Sequence, residues 1–203
     1  MNPISTANKE GAKSFIFIGR SGCGKGTQAK LLIDYLASRE PERKALYVQT
    51  GLELREFIKG DTHTQNIAKN MTLNGGLLPE FLAIYFWSRK IATEYTEGSH
   101  LIMDGMPRKQ HEAQVLDSVF GFYGIVKPVV IHLNVSRLWS SDRMIARGRA
   151  DDTHENIKNR LDWFEKEVVP TINYYKTNPA YEFHDIDGER TISEIHKDII
   201  ASL

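Results

Sequence analysis

The chain has 203 residues, 41% of them hydrophobic and 26% charged, which suits one buried core with room for small inserted lobes. Lys+Arg and Asp+Glu balance at 26 each, so the basic excess of a protein that neutralises many nucleic-acid phosphates is missing. The one cysteine, Cys23, excludes an intrachain disulfide and a cysteine-based structural zinc site and fits a reducing cytoplasm, and no apolar run approaches the ~20 residues that span a bilayer.

Residues 1–13 are polar, lack the apolar stretch of a signal peptide, and read as a flexible leader. Ser14–Ile18 is a short apolar run ending at Gly19, the pattern of a buried strand; after a Gly-rich turn, Ala29, Leu32, Ile33 and Leu36 share one helix face. Ala45–Val48 reads as a second strand. Residues 51–74 read as two small helices broken near Gly60-Asp61. Gly75-Gly76 breaks the chain again, and Pro79 suits the first turn of a helix carrying Phe81, Leu82, Tyr85, Phe86, Ile91 and Ala92. Leu101–Met103 and Pro128–Leu133 are further strands with a helix between them. A helix over 136–147 leads into Gly148-Arg149-Ala150-Asp151-Asp152, and a long helix follows, disturbed at Pro170. Glu182–Ile186 is a fifth strand and Ile192–Leu203 a closing amphipathic helix. This alternation predicts an α/β fold, a five-stranded parallel sheet with helices on both faces.

Gly19-Arg-Ser-Gly-Cys-Gly-Lys-Gly-Thr27 lies between the first strand and its helix, the context a phosphate-binding P-loop needs. Glycines let backbone N–H groups curl round phosphate oxygens, and the helix start adds partial positive charge. Lys25 is placed to reach the β- and γ-phosphates. Gly26 stands where Ser or Thr usually follows the Lys, with Thr27 one place later, so the loop's metal-ligating hydroxyl stays unassigned.

The form Gly-Lys-Gly-Thr-Gln28 resembles the adenylate kinase family of nucleoside monophosphate (NMP) kinases, and three further blocks carry the likeness: Thr50-Gly-Leu-Glu-Leu-Arg55, Asp104-Gly-Met-Pro-Arg108, and Arg143, Arg147, Arg149-Ala-Asp-Asp152 with Arg160. The resemblance implies a P-loop NTPase three-layer fold with a core over 14–49 and 77–203, an acceptor lobe over 50–76 and a short lid over 147–152. It implies Mg²⁺-dependent transfer from ATP to an NMP. ATP would meet Gly19, Ser21, Gly22, Cys23, Gly24, Lys25, Gly26, Thr27, Gln28, Arg143, Arg147 and Arg190. The acceptor would meet Thr50, Gly51, Arg55, Leu77, Gly105, Arg108, Glu112, Arg149 and Arg160. Lys25, Arg108, Arg147, Arg149 and Arg160 would act on the moving phosphoryl group, and Asp104 would hold Mg²⁺ through water. Arginine suits this chemistry because its planar fork grips phosphate oxygens and stays charged. The implied partners are ATP/ADP and the acceptor, with no nucleic acid or membrane, and the expected state is a cytoplasmic monomer.

The chain departs from the family pattern at three places. Leu52 replaces the Asp that usually follows Thr-Gly, which leaves Asp104 alone at the metal. Glu112 replaces a Gln whose amide pairs with adenine; a carboxylate only accepts hydrogen bonds, which favours guanine or the cytosine amino group. AMP is the first expectation, with GMP/dGMP and CMP/UMP as alternatives. Only Gly148 separates Arg147 from Arg149, too short for the long lid of some relatives. The seven histidines (63, 100, 111, 132, 154, 184 and 196) show no close metal-ligand spacing. A reading of another class, a nucleotide-binding switch without turnover, would need none of the arginine set.

Overall fold

The computed structural model describes residues 11–203. The expected leader therefore lies outside the described residues as far as residue 10. Lys13, at its end, is tied in: its N–H donates to His100 Nδ1 (3.1 Å) and its ammonium to the Leu203 carbonyl (2.6 Å), so the fixed chain starts before Ser14.

In chain order the elements are β1 (Ser14–Gly19), α1 (Lys25–Arg39), β2 (Ala45–Gln49), α2 (Thr50–Phe57), α3 (His63–Leu73), α4 (Glu80–Glu94), β3 (His100–Asp104), α5 (Gln110–Tyr123), β4 (Val129–Asn134), α6 (Arg137–Arg147), α7 (His154–Trp163), a π-helical turn (Phe164–Val168), α8 (Val169–Thr177), β5 (Glu182–Asp187) and α9 (Ile192–Ala201). The five strands form one parallel sheet in the order β2-β3-β1-β4-β5. Alternate residues of β1 serve opposite layers. Ile16 and Ile18 pack among Trp87, Leu116, Phe164 and Tyr175, while Phe15 and Phe17 pack among Leu32, Leu36, Ile195 and Ile199. Such near-continuous burial is what a strand covered on both faces requires. The register sets Asp104 beside Phe17 on one side and Gln49 on the other, so the loops leaving β1, β2 and β3 meet at one edge of the sheet. β2 and β3 lie on one side of β1, and β4 and β5 on the other; ligands of open parallel sheets bind where strand placement switches side in this way.

Two local expectations change. Pro79 is the extended cap before α4 rather than part of its first turn, and Phe81 (66% exposed) and Tyr85 (48%) face out while Leu82, Ala83, Phe86, Trp87 and Ile91 are buried. The helix is apolar on more than one face, so periodicity alone could not choose between Phe81/Tyr85 and Ala83/Trp87, which lie on different sides. The disturbance in the long helix falls over Phe164–Val168, ahead of Pro170. Pro170 lacks an N–H and its ring crowds the carbonyl four residues back, so the turn before it widens to i→i+5 spacing.

Candidate active site

The P-loop is shaped by backbone that only glycine tolerates well. Gly24 caps α1 at φ 96°, in the left-handed region, and no side chain caps the helix start, so its amide end is left to other partners. The Lys25 ammonium lies across the loop, donating to the Gly19 and Arg20 carbonyls at 2.8 Å each and standing 3.5 Å from Cys23 Sγ. Cys23 is buried under the loop. Ser140 of α6 donates to the Ser21 carbonyl (2.6 Å), fixing the loop against the arginine-bearing helix.

At the next strand end, Asp104 Oδ2 accepts from the Tyr47 hydroxyl (2.7 Å) and from Gln49 Nε2 (2.6 Å). Burial pushes the Tyr47 phenol well up and the Asp104 charge adds to it, so Tyr47 stays a donor. A Cβ on Gly26 would meet Asp104 Oδ2 at 3.2 Å and Gln49 Nε2 at 3.6 Å. The position where a P-loop usually carries its hydroxyl therefore abuts Asp104, and even a Cβ there would be in tight contact with the carboxylate. Mg²⁺ keeps most of its waters and takes one or two carboxylates plus substrate phosphates. One carboxylate beside the P-loop fits that requirement. Among the described residues no three His, Cys, Asp or Glu side chains gather into a cage for an ion. Glu53, adjacent to Leu52, turns to α4 and pairs with Lys90 (3.3 Å) and Arg89 (3.9 Å), and Leu52 is exposed.

α2 begins at Thr50, directly after β2, and its Thr50 hydroxyl is buried with no hydrogen-bond partner. Arg55 is exposed, Gly51 and Leu77 are half-buried, and a Cβ on Gly51 would stand 3.4 Å from the Arg55 guanidinium. Arg108 is half-buried; its Nε donates to the Gly105 carbonyl (3.0 Å) and its guanidinium stacks 5.3 Å from the Trp163 ring centroid. Burial pulls the Arg108 pKa down, and the Glu112 and Asp104 charges oppose that pull. Glu112, in the first turn of α5, is 2% exposed.

Past α6, Arg147 donates to both oxygens of Asp152 (2.6 and 2.9 Å), and Arg160 donates to Asp152 (2.7 Å) and to Asp151. The Asp152 side chain is 1% exposed. Burial alone would raise its pKa, but the Arg147 hydrogen bonds and the Arg147 and Arg160 charges outweigh this and hold it below the usual carboxylate range. Arg149 is drawn down by burial and then by the like charges of Arg147 and Arg55, so Arg55 of α2 and Arg149, just past α6, share one electrostatic neighbourhood. Asp151 and Asp152 thus hold Arg147 and Arg160 side by side, and the charge of Arg55 is felt at Arg149. Because the Asp152 pKa is depressed, its stabilisation is present above the ordinary Asp value and is lost as pH falls through the folded value. Asp152→Asn is expected to cost about 2–4 kcal/mol near neutral pH, with the difference from wild type shrinking below about pH 4. Thermal melts of both proteins across that range check this; a pH-independent gap would show that Asp152 acts through packing alone.

Four further residues expected to meet ATP have contacts or exposure of their own. Arg190 is held by Asp198 (2.5 Å) and the Asp187 carbonyl (3.4 Å), outside the P-loop. The Gln28 side chain is buried and donates to the Ile192 carbonyl (2.9 Å), tying α1 to α9. Thr27 is exposed. Arg143 stacks 4.6 Å from the Trp139 ring centroid, so its planar face is already paired with one aromatic. Tyr47, Gln49 and Trp163 are additions the sequence reading missed. Tyr47 and Gln49 share one face of β2, and the parallel register with β3 was the signal that brings both to Asp104. Trp163 lies three residues after Arg160 on α7 and meets both Arg108 and the Gly75 carbonyl (3.3 Å).

Sheet order, P-loop and converging arginines define a P-loop phosphotransferase fold. The family model described as adenylate kinase matches residues 17–180. Similar proteins include adenylate kinase 1 of Synechocystis sp., 32% identical over 91% of this chain and 93% of its own length. The adenylate kinases of Prochlorococcus marinus (30% identical; 92% of this chain, 96% of theirs) and Phocaeicola vulgatus (30%; 94% and 97%) are comparable. The chain belongs to the adenylate kinase family and is a phosphotransferase of that type.

Proposed function

We propose that the protein transfers the γ-phosphoryl group of ATP to AMP, reversibly, giving two ADP. The observation that supports this is that Lys25 and Arg108 both stand about Gly105, next to Asp104, while Arg147 and Arg160 are held on one carboxylate, Asp152. The P-loop amides and Lys25 hold the donor phosphates. The acceptor phosphate, already anionic, needs no strong base; it needs to be oriented by Thr50, Arg55 and Arg108. Arg147, Arg149 and Arg160 surround the group in flight, where charge spreads over its oxygens. Mg²⁺ travelling with ATP would be held from the protein side by Asp104 through water and would neutralise phosphate charge there. Tyr47 and Gln49 orient that carboxylate. The acceptor lobe (50–76) and short lid (147–152) close over the core (14–49 and 77–203), excluding water that competes as acceptor. A cytoplasmic monomer is the state this reading assumes.

A coupled assay with ATP·Mg²⁺ and AMP, GMP, CMP or UMP at neutral pH is expected to give AMP the highest kcat/KM. A GMP lead of more than about tenfold, reversed by Glu112→Gln, would overturn AMP as acceptor. Transfer to none of the four would favour a nucleotide-binding module without turnover.

A further inference from the structure

Glu112 is a buried carboxyl without a cation. It is 2% exposed, and no Lys, Arg or His nitrogen among the described residues lies within ion-pair distance of it. Its one hydrogen bond is long: the Arg108 backbone N–H reaches Oε2 at 3.3 Å. The Arg108 guanidinium, the nearest candidate partner, is turned to the Gly105 carbonyl and the Trp163 ring. The other charges around it do not repair this. Lys109, at the start of α5, pairs with Glu80 of α4 (3.8 Å), and His111 on α5 also pairs with Glu80 (3.1 Å). From α8, the Tyr175 hydroxyl is buried and unpartnered. Taking an ionised carboxylate out of water with so little compensation is costly, and the usual relief is to keep the proton.

We propose that Glu112 reads the acceptor base as a neutral acid, taking adenine in its protonated form and turning toward guanine when it ionises. This rests on the reading above that the start of α5 faces the acceptor base. Oε2 receives the Arg108 N–H and so acts as an acceptor, which assigns the proton to Oε1. A protonated carboxyl then presents one donor and one acceptor, the pair that adenine N1 and its amino group require. Ionised, the same group presents acceptors only, which opposes adenine N1 and suits the N1–H and amino donors of guanine. In agreement, burial pushes the Glu112 pKa up, and Glu80 adds to that push, against the Arg108 N–H bond and the Arg108 and Lys109 charges. The Gln of the family pattern becomes a special case: an amide offers the same donor and acceptor at every pH, whereas this chain offers them only below the Glu112 pKa.

The test is the ratio of kcat/KM for AMP to that for GMP, measured from about pH 4.5, the ordinary Glu range, up to about pH 8.5 for wild type and Glu112→Gln. Taking the ratio cancels the ionisation of the acceptor phosphate, of the arginines and of the donor, which both reactions share. The wild-type ratio is expected to fall by about tenfold or more as pH rises, since a mismatched buried polar contact costs about that in discrimination. Glu112→Gln is expected to hold a high ratio throughout. The wild-type profile needs no variant, so a poorly folding mutant does not remove the test. A flat wild-type ratio, or the same slope in Glu112→Gln, overturns the proposal. Transfer to neither nucleotide at any pH overturns the acceptor reading itself, and this inference with it.

Discussion

Lys25→Ala is expected to lower kcat/KM for ATP-dependent transfer by about a thousandfold while leaving the fold intact. The ammonium makes its hydrogen bonds to the Gly19 and Arg20 carbonyls, within the loop it serves, and its nearest core neighbour is Cys23 Sγ at 3.5 Å. The loop keeps its shape without it through the Cys23 N–H to Arg20 carbonyl bond (3.2 Å) and the Ser140 anchor on Ser21. What the substitution removes is the positive charge placed to meet the β- and γ-phosphates. Losing one preorganised charge-stabilising group costs about 10²–10³ in rate, and groups of this kind in phosphoryl transfer reach further. The measurement is steady-state kinetics with ATP varied, beside a thermal melt of both proteins. A melting temperature close to wild type with the rate reduced places the effect in chemistry. Activity within about tenfold of wild type would mean that the loop amides and the arginines carry the donor without Lys25.

The ease with which this site could be read differs from residue to residue, for physical reasons. The P-loop is local: the spacing of glycines, Lys25 and the following helix is written in one continuous stretch, and Gly24 adopts the backbone that only its residue type adopts readily. The core strands were legible because β1, β3 and β4 carry continuous apolar runs (Phe15–Ile18, Leu101–Met103, Val129–Ile131), as a sheet covered on both faces demands. Partners across strands were harder. Tyr47 and Gln49 reach Asp104 only through the parallel register of β2 and β3, which depends on how two segments separated by α2, α3 and α4 align. The Arg147–Asp152–Arg160 network is similar: sequence spacing suggested a grouping, but that Asp152 is a buried anchor for two guanidiniums is a property of the packed helix ends. Gln28 and Arg190 illustrate another limit. Their motif positions pointed to nucleotide, while the protein contacts of their side chains, with Ile192 and Asp198, come from neighbours brought in by α9 and are not written in the motif.

Arg108 separates charge from shape. Arg108→Ala is expected to lower kcat/KM for the acceptor by about 10²–10³, and Arg108→Lys to recover only a small part of it. The guanidinium has two fixed contacts, Nε on the Gly105 carbonyl and its face toward Trp163, and these set the direction of its remaining N–H groups, which in the proposed reaction would meet the acceptor phosphate. A lysine restores the charge but not the planar fork or the stacked face, so it cannot hold two phosphate oxygens in one plane. Trp163→Leu removes the stacking surface without touching the charge, and is expected to show a smaller loss of the same kind. If Arg108 orients the acceptor mainly in the transition state, kcat falls with kcat/KM; if it binds ground and transition states alike, KM rises and kcat is spared. In-line transfer through a loose transition state depends on alignment more than on affinity, so the fall is expected in kcat. Recovery by Arg108→Lys to within about threefold of wild type would show that a point charge suffices, and that the Trp163 contact is packing without a part in transfer.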